Sequence, residues 1–206
     1  MTYCTPYLLE LGLTKSKVSL VWIAGPLSGL IMQPIVGVIA DKNKSPYGRR
    51  RPFMLIGACI VSMCLLILGW TSEIVGIFIQ EKATKQTVTI ILAVLSIYGV
   101  DFAINAVQAS TRSLIVDTLP TSKQQLGSAW ASRMVAIGHL MGYGAGAVDL
   151  KKLIGPAIGN TQFKQLIIVS AAALLGCVGV TCWAVTERIL LNDGYARMDG
   201  KTMCYG

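Results

Sequence analysis

The chain has 206 residues, 53% of them hydrophobic and 14% charged, with a formal net charge of +8, one histidine and a mean hydropathy of +0.61. That composition excludes the ordinary water-soluble classes and places the chain in a membrane. A pI near 9.3 points to nucleic acid only where the bases form a stripe on a soluble surface; here they punctuate long uncharged runs, so no nucleic-acid partner is expected.

The opening residues, MTYCTPYLLELGL, are apolar but too short to span, and they lack the basic start and small-residue cleavage site of a signal peptide. Residues 1–13 read as the outer end of a first transmembrane helix whose beginning is absent. A helix rising ~1.5 Å per residue needs about 20 apolar residues to cross ~30 Å of hydrocarbon. Residues 18–40, 52–72 and 165–186 carry no charge, 86–116 only Asp101 and Arg112, and 124–148 only Arg133. Five further spans follow, at about 18–40, 52–79, 86–117, 124–148 and 164–186, and no strand alternation joins them. The expected fold is an all-α integral membrane bundle of six helices, the first incomplete, with a cytoplasmic tail at 189–206.

In the 18–40 span, Gly25, Gly29, Gln33 and Gly37 repeat at i+4 along one row, a pattern suited to close helix packing, and Pro26 and Pro34 are expected kinks. The loop that follows, 41–51, gathers Lys42, Lys44, Arg49, Arg50 and Arg51 around a single acid, Asp41. The positive-inside bias makes this loop cytoplasmic, which puts the segments near 81–85 and 149–164 outside and Lys123 inside. In the spans at 52–79 and 164–186, Cys59 and Cys64, and likewise Cys177 and Cys182, lie five apart. That spacing puts the side chains on different faces and fits neither a zinc nor a disulfide-exchange signature, so small packing residues are expected.

The 86–117 span carries the chemistry. Charge inside a membrane helix costs ~2.5–3.5 kcal/mol on insertion scales, so it needs a cavity, a partner or a role. Asp101, Asn105, Gln108 and Arg112 fall at i, i+4, i+7 and i+11, which keeps all four within about 60° of arc and ~16 Å of helix. Tyr98 borders this stripe, which cannot face lipid. One reading is a polar seam that fixes helix pairing. The other is a water-filled path for a polyhydroxylated solute, in which Arg112, Asn105 and Gln108 bind hydroxyls, Tyr98 offers an apolar face to a sugar ring, and Asp101 exchanges a proton.

In the 124–148 span, Gly138, Gly142 and Gly146 repeat at i+4, and GYGAGA at 142–147 follows no strand, so helix contact explains it better than a dinucleotide loop. Arg133 reads as a snorkelling residue and His139 as a packing or pore-lining one. No nucleophile–base pair or metal set appears, so neither an enzyme nor a cofactor is expected beyond the proton as coupling ion.

Gly37-x-x-x-Asp41-Lys42 followed by Gly48-Arg49-Arg50-Arg51-Pro52-Phe53 resembles the signature between the second and third helices of major facilitator transporters. The gap from Asp41 to Gly48 and the triple arginine resemble its version in the glycoside–pentoside–hexuronide cation symporter group. TPYLLELGL at 5–13, AGPLSGLIMQPIVG at 24–37 and YGVDFAINAVQASTRSLIVD at 98–117 agree, and AWASRMVAIGHLMGYGAG at 129–146 looks most like the fungal branch.

The resemblance covers the chain to about Arg188. It implies the amino-terminal bundle of the major facilitator fold, alternating access, and symport of protons with sucrose or another α-glucoside. Asp101 and Arg112 match the residues implicated there in proton and sugar handling. It also implies a carboxy-terminal bundle, missing here, as partner, and a multi-pass location in the plasma membrane or the vacuolar membrane. Gly37, Asp41, Gly48, Arg49, Arg50 and Arg51 then form a cytoplasmic gate or hinge, where a bare topology signal would need only the positive charge. Thr14 and Lys15 stand where plant members commonly carry a histidine, so no outer histidine role carries over. The alternative to a transporter is a truncated, non-transporting fragment that assembles with another transporter chain in the lipid bilayer.

Overall fold

The computed structural model describes residues 4–10, 12–42, 48–78, 82–147, 161–185, 189–191 and 194–196. Residues 1–3 of the expected first helix, Lys44 and Pro46 of the basic loop, the outer segment 149–160 and the tail beyond Ala196 lie outside the described residues. The helices are α1 (Cys4–Glu10), α2 (Lys15–Val21), α3 (Ala24–Lys42), α4 (Arg51–Phe78), α5 (Lys82–Thr118), α6 (Gln124–Ala147) and α7 (Gln162–Ala184). A 3-10 turn at Thr121–Lys123 leads into α6, and a small antiparallel hairpin, β1 (Ile189–Leu191) with β2 (Gly194–Ala196), follows α7. The fold is otherwise all-α, and the hairpin is the one departure among the described residues.

Four stretches, Lys15–Lys42, Arg51–Ile77, Thr84–Thr118 and Gln162–Ala184, are long and apolar enough to cross a membrane. α6 has the length, with 24 residues, while Arg133, His139 and a series of glycines leave it less apolar than these four. Hydroxyl residues are tolerated inside the apolar helices because they bond back to the preceding turn. Ser62 donates to Ala58 O at 2.9 Å, Ser96 to Leu92 O at 2.8 Å and Thr111 to Val107 O at 2.8 Å.

Proline and glycine place the bends. The first membrane-length stretch breaks at Trp22–Ile23, between α2 and α3. Pro26 lies four residues beyond Trp22; it has no N–H to offer the Trp22 carbonyl, and its ring clashes with that carbonyl in a straight helix. Ile23 N bonds Leu20 O at 3.2 Å, one residue short of the α-helical partner. Pro34 lies inside α3 without a break. Gly12, at φ +97°, turns the chain from α1 to α2.

α5 is the centre of the bundle. It packs along α4 in antiparallel fashion: Val107 Cγ2 lies 2.6 Å from where a Cβ on Gly57 would sit, and Cys64 Sγ lies 2.8 Å from the same point on Gly99. α7 covers another side of α4, with Ile167 at 3.0 Å from the Cβ position of Gly69. At the end of the bundle expected to face outward Leu8, Leu13, Val18, Val21, Leu68, Ala93 and Ile97 form one apolar cluster; at the opposite end, called the inner end from its basic loop, Met54, Ala58, Val107, Leu114 and Val178 form another. Large apolar side chains such as Leu30, Ile77, Leu95, Leu140 and Trp183 are exposed, as they must be on a lipid-facing surface.

α6 stands apart. All of its residues are exposed or half-buried except Gly146, and a Cβ at Gly138 or Gly142 would meet nothing within 4 Å. The close contact expected of that glycine row is therefore not made at Gly138 or Gly142 among the described residues, whereas Gly146 is buried and its carbonyl accepts from Gln162 Nε2 at 3.1 Å. Arg133 is exposed, with its guanidinium 5.1 Å from the Trp130 ring centroid, and His139 is exposed.

Candidate functional site

The expected stripe lies on α5, and its four members meet different surroundings. Asp101, midway along α5, is buried, and its Oδ2 has no hydrogen-bond partner among the described residues. Asn105 is half-buried and uses both amide hydrogens: Nδ2 donates to Asp101 O at 2.8 Å and to Ser28 Oγ at 2.9 Å. Ser28 is fully buried in α3 and passes its own proton to Gly25 O at 2.9 Å. Gln108 and Arg112, further along, are exposed. Tyr98 is half-buried against the outer apolar cluster.

Gly29 sets the approach of α3 to α5. Asn105 Oδ1 lies 3.3 Å, and Gln33 Nε2 3.7 Å, from where a Cβ on Gly29 would sit. Of the α3 glycine row, Gly29 alone makes such a contact; a Cβ at Gly25 or Gly37 would meet open space within 4 Å. The expected tight packing at Gly37 is absent among the described residues.

The inner end of the same two helices carries a compact charge cluster. Arg50 Nη2 donates to Asp41 Oδ1 at 2.6 Å, and its Nε to Asp117 Oδ2 at 3.2 Å. Arg49 Nη2 reaches the same two carboxylates at 2.9 and 3.4 Å. Two guanidiniums from the loop before α4 thus clamp the ends of α3 and α5, with the Arg50 side chain 6% and the Asp41 side chain 57% exposed. Gly48 is buried at φ +109°, a conformation that side-chain-bearing residues rarely adopt, and it aims the arginines at the carboxylates. Arg51 opens α4, and its carbonyl accepts a contact from Cys182 Sγ at 4.0 Å.

Sequence reasoning did not single out Asp117 or Ser28. Asp117 is legible as the acid that closes α5 on the side of the basic loop. Ser28 carries no sequence signal, because a serine in an apolar helix ordinarily bonds only its own backbone. Sequence reasoning also missed an outer clasp. Tyr7 stacks on Phe163 with ring centroids 4.4 Å apart, and Lys164 pairs with Glu73 while lying 5.4 Å from the Trp70 ring centroid. No cluster of three or more metal-ligating side chains exists among the described residues.

Comparison with known proteins matches this architecture. A family model described as MFS/sugar transport protein matches residues 1–199. The general alpha-glucoside permease of Schizosaccharomyces pombe is 40% identical over 186 residues, which is 90% of this chain and 34% of the relative. Sucrose transport protein SUC4 of Arabidopsis thaliana is 33% identical over 151 residues, 72% of this chain and 30% of the relative. Sucrose transport protein SUT2 of Oryza sativa subsp. indica is 34% identical over 211 residues, 95% of this chain and 42% of the relative. The chain spans between 30% and 42% of the length of these relatives. An integral membrane protein of transporter and not enzyme lineage, with apolar helices around a polar seam, the chain belongs to the MFS/sugar transport protein family.

Proposed function

We propose that this chain forms the amino-terminal wall of a secondary transporter that carries sucrose or a related α-glucoside together with protons. The observation that carries the reading is the open half of the α5 stripe: Gln108 and Arg112 are exposed on a membrane-length helix and hydrogen-bond to no described residue. A polar side chain left unpaired in hydrocarbon costs several kcal/mol, so this face belongs to a cavity. Amide and guanidinium donors suit a solute rich in hydroxyls, and the names of the three relatives favour a glycoside as that solute.

Asp101 is the proton carrier in this reading, supported by its burial at mid-helix and its unpartnered Oδ2. Ser28 lies halfway along Lys15–Lys42, which puts the seam ~20 Å from either end of that stretch. A site near the midplane between two bundles is where rocking-type transporters hold their substrate. The Asp41, Arg49, Arg50 and Asp117 cluster serves as the inner latch: it holds the ends of α3 and α5 to the loop before α4 in one state and opens as the bundles rock. The host membrane is assigned as the plasma membrane by the same reading.

The test uses the complete transporter, with both bundles, in sealed vesicles under an imposed proton gradient. Labelled sucrose and maltose should accumulate and should leak out when a protonophore collapses the gradient. No accumulation of either sugar, with the protein inserted and oriented, overturns the reading.

A further inference from the structure

We propose that Gln33 of α3 is a substrate-contacting residue that reads a sugar hydroxyl together with Gln108 and Arg112; this rests on the transport reading above. Gln33 falls in the glycine row, where sequence spacing makes it a packing residue, yet Gly25 and Gly37 at the two ends of the row border open space and the Gln33 side chain is exposed. Its amide hydrogen-bonds to no described residue, and neither do those of Gln108 or the Arg112 guanidinium.

The register places the three together. α3 and α5 run in the same direction: Ser28 meets Asn105, and 13 and 12 residues later Asp41 and Asp117 meet through Arg49 and Arg50. Gln33, five residues past Ser28, therefore lies at a level between Gln108 and Arg112, about 3 Å along the axis from each. The rotation agrees. Ser28 and Gly29 both face Asn105, so at ~100° per residue Gln33, about 40° on from Gly29, lies at the edge of that contact, and Gln108 and Arg112, about 60° and 20° from Asn105, are turned to the same side. The three polar heads border one mouth of the α3–α5 seam.

The head of Gln33 is also held there. Its Nε2 lies 3.7 Å and Asn105 Oδ1 3.3 Å from the Cβ position of Gly29, so the amide lies over that glycine, beside the point where α3 meets α5. Asn105 has spent its donors on Ser28 and Asp101 O. Gln33 supplies the donors that Asn105 no longer offers, from the opposite helix, and a sugar lying in the mouth is gripped from two sides.

The experiment compares the complete transporter with its Gln33→Ala and Gln33→Asn variants, using sucrose, maltose and the monodeoxy derivatives of maltose. Expected is a KM for the parent sugars raised about 10-fold in Gln33→Ala with little change in kcat. One monodeoxy sugar, rejected about 10-fold by the wild type, should be taken up by the variant as well as its parent. Gln33→Asn, one methylene shorter, should recover part of that discrimination. Unchanged KM, or a KM raised equally for every sugar and deoxy sugar, overturns the assignment, since loss of helix packing would act without regard to hydroxyls. Wild-type protein that carries no α-glucoside overturns the parent reading instead.

Discussion

Arg50→Lys tests the inner latch most directly. Arg50 spans two carboxylates through two different nitrogens, Nη2 to Asp41 at 2.6 Å and Nε to Asp117 at 3.2 Å. A lysine ammonium is a point donor on a flexible stem and holds one of the two at hydrogen-bond distance. Unit charges ~4 Å apart are worth about 4 kcal/mol at an effective dielectric of 20. Asp41 is more than half exposed and Asp117 about a third, so solvent reduces each arm to about 1 kcal/mol, and Arg49 remains on both carboxylates. The expected loss is about 1–2 kcal/mol, or roughly 5- to 30-fold in the equilibrium between closed and open ends. Detergent-driven unfolding of the purified chain, run as a double-mutant cycle with Asp117→Asn, should show a coupling near 1 kcal/mol that shrinks as salt screens the charges. An unchanged midpoint for Arg50→Lys, with no coupling to Asp117, refutes the latch.

Gly48→Ala should destabilise the same cluster by about 1–3 kcal/mol, because the φ of +109° is strained for any side-chain-bearing residue; a lowered thermal midpoint checks it. Arg112→Lys in the complete transporter should lower kcat/KM for sucrose about 10- to 100-fold while leaving insertion intact, since the charge stays and the planar donor fork goes; initial-rate uptake measures it. Asp101→Asn keeps the shape and cannot titrate, so sugar should still exchange across the membrane but no longer accumulate or respond to pH, as counterflow and gradient-driven uptake compared side by side will show. Residues 1–206 reconstituted alone should insert without concentrating sucrose or maltose, because in the proposed reading α3 and α5 line only one wall of the cavity; vesicle uptake under a proton gradient decides it.

The membrane helices were legible in the sequence because hydrocarbon imposes one rule on every residue: charge must be absent or excused. That rule locates apolar stretches but not their ends. α5 begins at Lys82 and α2 at Lys15, with charged residues inside the helices and beyond the apolar runs that reveal them. Helix periodicity likewise put Asp101, Asn105, Gln108 and Arg112 on one face. It could not tell that the face would be divided, because the division depends on where α3 leans. Ser28 comes against Asn105, so the outer half of the stripe is buried and the inner half is open.

What stayed hidden shares a physical cause. Ser28 and Asp117 act through partners distant in the sequence, and single-sequence patterns report faces, not registers. Gln33 shows the cost of that blindness: at i+4 between Gly29 and Gly37 it reads as one more packing position, and only the α3–α5 register sets its amide level with Gln108 and Arg112. The latch was half legible for the complementary reason. Five bases around Asp41 demand an acidic counterpart, and a parallel neighbour of α3 must end near the same leaflet. Asp117, the acid closing α5 on that side, meets the demand, so the basic loop and the ends of α3 and α5 form one charge cluster.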